Sequence, residues 1–234
     1  MVENVIVIPY RNRERHLEYY INNTLPIIKE NFPNTKIVVV EQSEGKLFNR
    51  GALLNVAFKE YSDKTKYFIT NDVDTYPTKK CLDELYSKRI DDNHVLAIYS
   101  SRCNTLGGII KITSNVINMI NGFPNNIWGW GVEDKALQNR TEMFNIIKIP
   151  ALIARDSLAR EYPEYLTRFN DVADRIHSSN FKQADDFHYR IWPRISHEDK
   201  MKYITENGIS NLQYTIIDRK QINEIVEIIK VDFN

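Results

Sequence analysis

Residues 67–74 read Tyr-Phe-Ile-Thr-Asn-Asp-Val-Asp. The run Tyr67–Thr70 is short, apolar and continuous, the pattern of a strand buried on both faces. It passes without a spacer into Asn71-Asp72-Val73-Asp74. Two carboxylates therefore stand one residue apart at a strand's carboxyl end. Outward from this point the pattern repeats. Val5–Ile8 and Lys36–Val40 are buried-strand runs upstream, and Val95–Tyr99 is one downstream. Between them, His16–Asn31 has helical spacing at Leu17, Tyr20, Ile21 and Leu25, with Pro26 as the expected kink or break. Phe48–Tyr61 carries an apolar stripe through Leu53, Leu54, Val56, Ala57 and Phe58. Strands alternating with helices predict an α/β fold, a central mostly parallel sheet flanked by helices. Such sheets bind ligands outside the carboxyl ends of their strands. Arg11-Asn12-Arg13 and the Asp72/Asp74 pair fall at such ends.

The later half is less regular. Asn121–Trp130 is loop-like, a helix is expected from about Glu133, and Leu212–Ile217 and Ile225–Phe233 read as two further strands. The whole chain, 234 residues, suits a single domain. Lys plus Arg and Asp plus Glu are both 31, so the net charge is zero. That balance argues against general attraction to nucleic acid or to an anionic membrane. An anionic ligand must be met by a local cluster of cations. Cys81 and Cys103 have neither metal-ligand nor redox spacing, and two reduced buried thiols are expected. The opening MVENVIVIPYRNR is not patterned as a signal peptide. No apolar run approaches the ~20 residues of a membrane span. The expectation is a cytoplasmic protein with at most peripheral membrane contact.

Several clusters could carry chemistry. Asp72 and Asp74 could meet a divalent cation that also holds a diphosphate, because hard cations take oxygen ligands and nucleotide sites use one or two carboxylates. The plain alternative is an Asx-type turn in which the side chains cap backbone groups. Arg11 and Arg13 could make bidentate contacts to phosphate or bond a uracil ring, or could simply flank a solvated helix start. Phe48 could stack on a base and Arg50 could reach ribose or phosphate, unless Phe48 is only core. The stretch 121–134, NGFPNNIWGWGVED, is the most specific. Two tryptophans in a polar, glycine-rich loop suit stacking on a sugar face, and glycines on either side of Trp130 would let the loop hinge. Glu133 and Asp134 open the next helix, where the dipole favours an ionised carboxylate fit to act as general base. Two core tryptophans with an acidic helix cap are the competing reading.

In order along the chain, PYRNR, VVVEQ, FNRGALLNVAF, NDVDTYP, LGG, NGFPNNIWGWGVED, NR, RISHEDK and NGISNLQYTIID resemble the β-1,4-galactosyltransferase family, over residues 4–154 and 172–218. The resemblance implies a GT-A-type nucleotide-sugar-binding fold. It implies a UDP-sugar donor, Mn2+ as cofactor and an inverting reaction on a glycan or glycolipid acceptor in surface polysaccharide synthesis. Residues 1–110 would form the nucleotide-sugar half and 111–234 the acceptor and catalytic half. Arg11 and Arg13 would bind the nucleotide, and Phe48 and Arg50 would lie near uracil and ribose. Asp74 would be the metal ligand, with Asp72 facing the donor and Gly108 lining the donor-sugar pocket. Trp130 would close as a lid and Trp128 would shape the acceptor site. Glu133 would hydrogen-bond the sugars and Asp134 would be the catalytic base.

Three departures bear on the details. Lys135 stands where the family commonly has a further Asp that binds an N-acetylglucosamine acceptor, which leaves the acceptor open. Thr105, two positions before the Gly pair, stands where galactose-transferring members have Tyr; the smaller side chain keeps N-acetylgalactosamine open beside galactose. The usual additional metal ligands have their best match in Asp174 and His177, with His188 and His197 as competitors. Residues 155–175 have no clear counterpart and suit an acceptor-binding insertion. Two alternatives remain beside this reading: the same site using UDP-glucose or UDP-N-acetylglucosamine, and a non-catalytic UDP- or sugar-binding relative.

Overall fold

The apolar runs become strands. The computed structural model describes residues 2–100, 105–153, 162–169 and 176–233. Its strands are β1 (Val2–Tyr10), β2 (Thr35–Gln42), β3 (Thr65–Thr70), β4 (Thr75–Pro77), β5 (His94–Ser100), β6 (Ile109–Thr113), β7 (Ile147–Ile153), β8 (Leu166–Arg168), β9 (Thr215–Gln221) and β10 (Val226–Asp232). Eight of them form one sheet in the order β7-β5-β6-β3-β1-β2-β10-β9. All run the same way except β6 and β9, which are antiparallel to their neighbours. The remaining two, β4 and β8, pair antiparallel in a small ribbon. The α/β expectation, with a mostly parallel sheet, matches this arrangement.

Alternation along the central strands divides the core in two. Val5, Val7, Val38 and Val40 face one layer, where helix α3 (Arg50–Tyr61) and the helix Ser114–Met119 pack. Ile6, Ile8, Ile37 and Val39 face the other, under the helical stretch that starts at Glu14. Of the kink or break expected at Pro26, a break does not occur. The backbone stays helical from Glu14–Tyr19 through a π turn, Tyr20–Thr24, into Leu25–Asn31. Proline lacks an N–H and crowds the preceding turn, and the wider π turn just before it absorbs both effects. The first of the two late strands begins three residues beyond the expected start, at Thr215, because Ile209–Asn211 is a 3-10 turn.

Two strands escape the simple apolar pattern. β6 reads Ile-Ile-Lys-Ile-Thr, yet every residue is buried. Lys111 in its middle donates from Nζ to the Tyr86 carbonyl oxygen at 2.6 Å and lies 4.3 Å from the Tyr67 ring centroid. Burial pushes its pKa down to about 8. β7 contains Pro150 and lies at one edge of the sheet, where a missing donor is tolerated.

The parallel strands put several loops on one rim. The carboxyl ends of β1, β2, β3 and β5, the start of the antiparallel β6, and the N-terminus of α3 all meet there. Among the described residues, no helix is long and apolar enough to cross a membrane.

Candidate active site

Arg50 organises that rim. It is the first residue of α3, whose entry is fixed by Asn49: the Asn49 side chain accepts from Ala52 N at 2.9 Å and donates to the Asn125 carbonyl at 2.7 Å. The Arg50 guanidinium spends its donors on three acceptors from three segments. Nε donates to Asp72 Oδ1 at 2.8 Å, Nη1 to Asp134 Oδ1 at 3.2 Å, and Nη2 to the Gly108 carbonyl at 3.1 Å. Asp72 after β3, Gly108 before β6 and Asp134 at the start of helix α6 (Glu133–Met143; α4 is Lys79–Cys81 and α5 is Ser114–Met119) are thereby drawn together. Position 50 was expected to reach ribose or phosphate; the structure instead engages it with protein acceptors.

Asp74 sits beside this hub. Its Oδ2 receives Arg13 Nη2 at 3.4 Å and Arg168 Nη2 at 3.5 Å, and its Oδ1 accepts from Thr75 Oγ1 at 3.2 Å. Arg11 leaves β1 in another direction. It donates to the Lys46 carbonyl at 2.7 Å and lies 5.4 Å from the centroid of the Phe48 ring. Phe48 is partly buried against the core. One aromatic face and one guanidinium are thus paired at the edge of the rim.

The acidic pair Glu133-Asp134 is more buried than a solvated helix cap. The Glu133 carboxyl has an oxygen, Oε2, that is shut from solvent and has no hydrogen-bond partner. Burial first, then the neighbouring Asp134 charge, pushes its pKa well above the ordinary glutamate range, against the pull of Arg50. Burial also pushes Asp134 up, Arg50 pulls it down and Asp72 pushes it up. Burial therefore acts on this pair in the direction opposite to the helix dipole, which favours the ionised form. Gly107 packs on Asp134, and the Leu106 amide donates to the Asp134 carbonyl at 3.1 Å, so the loop before β6 clasps the start of α6.

The tryptophan loop divides into a fixed and an exposed half. Asn55 pairs with Phe123 as a second backbone would, Nδ2 to the carbonyl at 2.7 Å and Oδ1 from the amide at 2.8 Å. Buried Arg140 donates to the carbonyls of Ile120, Asn121, Gly122 and Asn207. Trp128 leans on the core edge-on to Phe233, 6.0 Å between ring centroids. It is partly buried there, at the rim. Trp130 is 47% exposed. It is flanked by Gly129 at φ +80°, Gly131 at φ +104° and Val132 at φ +80°. The glycines adopt these values at little cost, whereas a β-branched residue there is strained.

A strap crosses this loop. The Trp130 amide donates to the Ile176 carbonyl at 2.9 Å, and Gly129 bridges to His177. His177 Nδ1 lies 3.0 Å from the Trp130 carbonyl oxygen. A carbonyl only accepts, so Nδ1 is the donor in this contact, as it is where an imidazole ligates a metal through Nε2. Asp174, the expected companion ligand, lies outside the described residues, as does Cys103. The competitors are elsewhere: His188 is buried among Phe187, Trp192 and Tyr203, and His197 is the first residue of the helix His197–Glu206. Lys135 Nζ lies 5.7 Å from the Tyr189 ring centroid. Thr105 is buried, its Oγ1 3.4 Å from Ser100 Oγ.

Among the described residues, no three His, Cys, Asp or Glu side chains gather as a protein cage for a metal. The donor set fits a cation that takes one or two carboxylates and fills its remaining positions from phosphate and water. Asp74 keeps only long contacts to its two arginines, where charge-assisted bonds run about 2.7–2.9 Å.

Two family models match this chain: the N-terminal region of glycosyl transferase group 7 over residues 2–86, and the N-terminal domain of galactosyltransferase over residues 94–151. Human β-1,4-galactosyltransferase 4 is 29% identical over 240 residues, taking in 97% of this chain and 62% of that protein. Bovine β-1,4-galactosyltransferase 1 is 36% identical over 144 residues, 58% of this chain and 35% of that protein. The chain belongs to the β-1,4-galactosyltransferase family. It spans about half the length of the curated relatives it matches. A mutant of Drosophila β-1,4-galactosyltransferase 7, solved with manganese, UDP-Gal and xylobiose, superposes with a TM-score of 0.69 at 21% identity, over 100% of this chain and 95% of that one. The fold of the family is the GT-A type expected from the sequence.

One member of this galactosyltransferase-family site escaped the sequence reading. Arg168 comes from the ribbon strand β8, in the stretch without a counterpart, and reaches Asp74 because β8 pairs with β4 so that Arg168 faces Thr75. A lone Arg after Leu-Thr gives no local signal of that destination.

Proposed function

We propose that this chain is a metal-dependent glycosyltransferase that moves galactose from UDP-galactose to a sugar hydroxyl. The observation that carries the reading is the Arg50 hub, which holds Asp134 beside the Asp72 and Gly108 rim. The relatives' names and the manganese, UDP-Gal and xylobiose of the Drosophila structure support the donor, metal and acceptor class.

The roles follow from position. Phe48 and Arg11 offer a face and a fork to the uracil end of the donor. Arg13 meets the diphosphate. Asp74, with His177 as a further candidate, would hold Mn2+, which when bound offsets charge growing on the leaving UDP. Asp134 takes the proton from the acceptor hydroxyl as that oxygen attacks the anomeric carbon. The carbon's bond to the UDP oxygen breaks as the new bond forms on the opposite face, so an α-linked donor gives a β-linked product. Glu133, beside Asp134 at the start of α6, hydrogen-bonds the sugars. Trp130 covers the site, and water is kept from the donor. A second donor, UDP-N-acetylgalactosamine, stays in view because Thr105 replaces the family's bulkier residue.

The test is UDP release from UDP-galactose and UDP-N-acetylgalactosamine with simple sugar acceptors, with and without Mn2+. Mn2+-dependent turnover is expected. Asp134→Asn should abolish transfer while UDP still binds; undiminished transfer would exclude Asp134 as the base, and a wild-type chain that binds no UDP would sink the reading.

A further inference from the structure

Three arginines serve the rim, and they are not equally satisfied. Arg50 has an acceptor for Nε, Nη1 and Nη2 alike. Arg13 and Arg168 share a single oxygen, Asp74 Oδ2, at 3.4 and 3.5 Å. Both also have an Nε that is shut from solvent and has no hydrogen-bond partner. Asp74 is the carboxylate that both guanidinium groups face; Asp72, which also acts on Arg168, is already bonded to Arg50. The Tyr99 hydroxyl is a further partner of Arg168, and the Arg168 Nε still has none. Buried guanidinium donors without acceptors are costly, and a tetrahedral oxyanion is the acceptor their planar forks match.

We propose that Arg168 is a second cation for the donor's diphosphate, delivered to the site by the β4–β8 ribbon and working opposite Arg13. This inference rests on the UDP-sugar reading above. It assigns a donor-binding role to a residue outside both family-model spans, 2–86 and 94–151. The ribbon is the device that makes it possible. Antiparallel pairing of Thr75 with Arg168 places the guanidinium next to the residue that precedes Thr75, which is Asp74. The unmatched stretch thereby contributes to the donor side of the site, in addition to the acceptor side expected of an insertion.

The experiment is calorimetric titration of the full chain and of Arg168→Gln and Arg168→Lys with UDP, UMP and uridine, each with and without Mn2+. Arg168→Gln is expected to lose at least tenfold in affinity for UDP, less for UMP and nothing for uridine. Arg168→Lys should fall between, since it keeps the charge and loses the fork. An Arg168→Gln variant that binds UDP as tightly as the wild type overturns the proposal. So does equal loss for UDP and uridine, which would mean that Arg168 acts through the fold. Should the Gln variant not fold, the Lys variant decides by the same comparison. A wild-type chain that binds none of the three overturns the donor reading and this inference together, whereas failure of the inference alone leaves wild-type UDP binding intact.

Discussion

Gly107 lies flat against the carboxyl group of Asp134: a β-carbon at position 107 would stand 2.6 Å from Asp134 Cγ and closer still to Oδ2. The glycine is required by this approach and not by its backbone angle, since its φ is outside the left-handed region. Alanine can therefore take the same backbone, and the side chain that must yield is Asp134. Displacing a catalytic group by about 1 Å costs on the order of 100-fold in rate. Gly107→Ala is expected to lose transfer by roughly that factor while its UDP affinity and melting temperature stay near wild type. Steady-state rates beside a UDP titration check it. A wild-type rate would show that the present position of Asp134 is not the working one.

How much of this could be read from the sequence depends on how local each feature is. Val5–Ile8, Lys36–Val40 and Tyr67–Thr70 announce buried strands because their residues are apolar apart from Lys36 and Thr70 at the ends of two of them. Asp72, Asp74 and the Glu133-Asp134 pair announce themselves because they directly follow a strand or open a helix. Arg168 and Gly107 matter only through partners 94 and 27 residues away in sequence, 168 − 74 and 134 − 107, and no window of sequence contains either pair. β6 hides for another reason. Lys111 breaks its apolar run, and only the fold shows that the ammonium finds a carbonyl and an aromatic face. The two tryptophans of the loop look alike in sequence; in the fold Trp128 packs edge-on to Phe233, whereas Trp130 is exposed.

Arg50 touches Asp72, Asp134 and Gly108 together. A lysine keeps the charge and cannot span three acceptors in a plane. Arg50→Lys is expected to unfold at lower urea, with a loss of roughly 1–3 kcal/mol, because the two aspartates keep enough solvent contact to soften the cost of a broken buried pair. Its rate should change more characteristically. Arg50 is the group that pulls Asp134 downward against burial. Weakening that pull raises the Asp134 pKa, so the acid limb of the pH–rate profile should move to higher pH. A profile that loses height without moving would show that Asp134 is not the group titrating there.

His188 contributes to the pH dependence of the fold. Its imidazole is buried, and burial first, then the charges of Arg140 and Lys135, push its pKa down from 6.5 to about 3. The folded chain holds it neutral while the unfolded chain protonates it below pH 6.5. Stability from this group is therefore complete above 6.5 and is lost as pH falls toward 3. The slope is up to about 1.4 kcal/mol per pH unit. Phenylalanine can take the place of this ring. Phe187, Trp192 and Tyr203 surround it with centroids 5.0, 6.2 and 5.8 Å away. The Tyr203 hydroxyl keeps Asn126 Oδ1 at 3.3 Å, and Asn139 Nδ2 keeps the position-188 carbonyl at 2.9 Å. His188→Phe should thus fold, and its unfolding free energy should fall less steeply between pH 6.5 and 4 than that of the wild type. Urea titrations of both proteins at several pH values across that window decide it. Parallel pH dependence in the two would mean that His188 takes up its proton without leaving the fold.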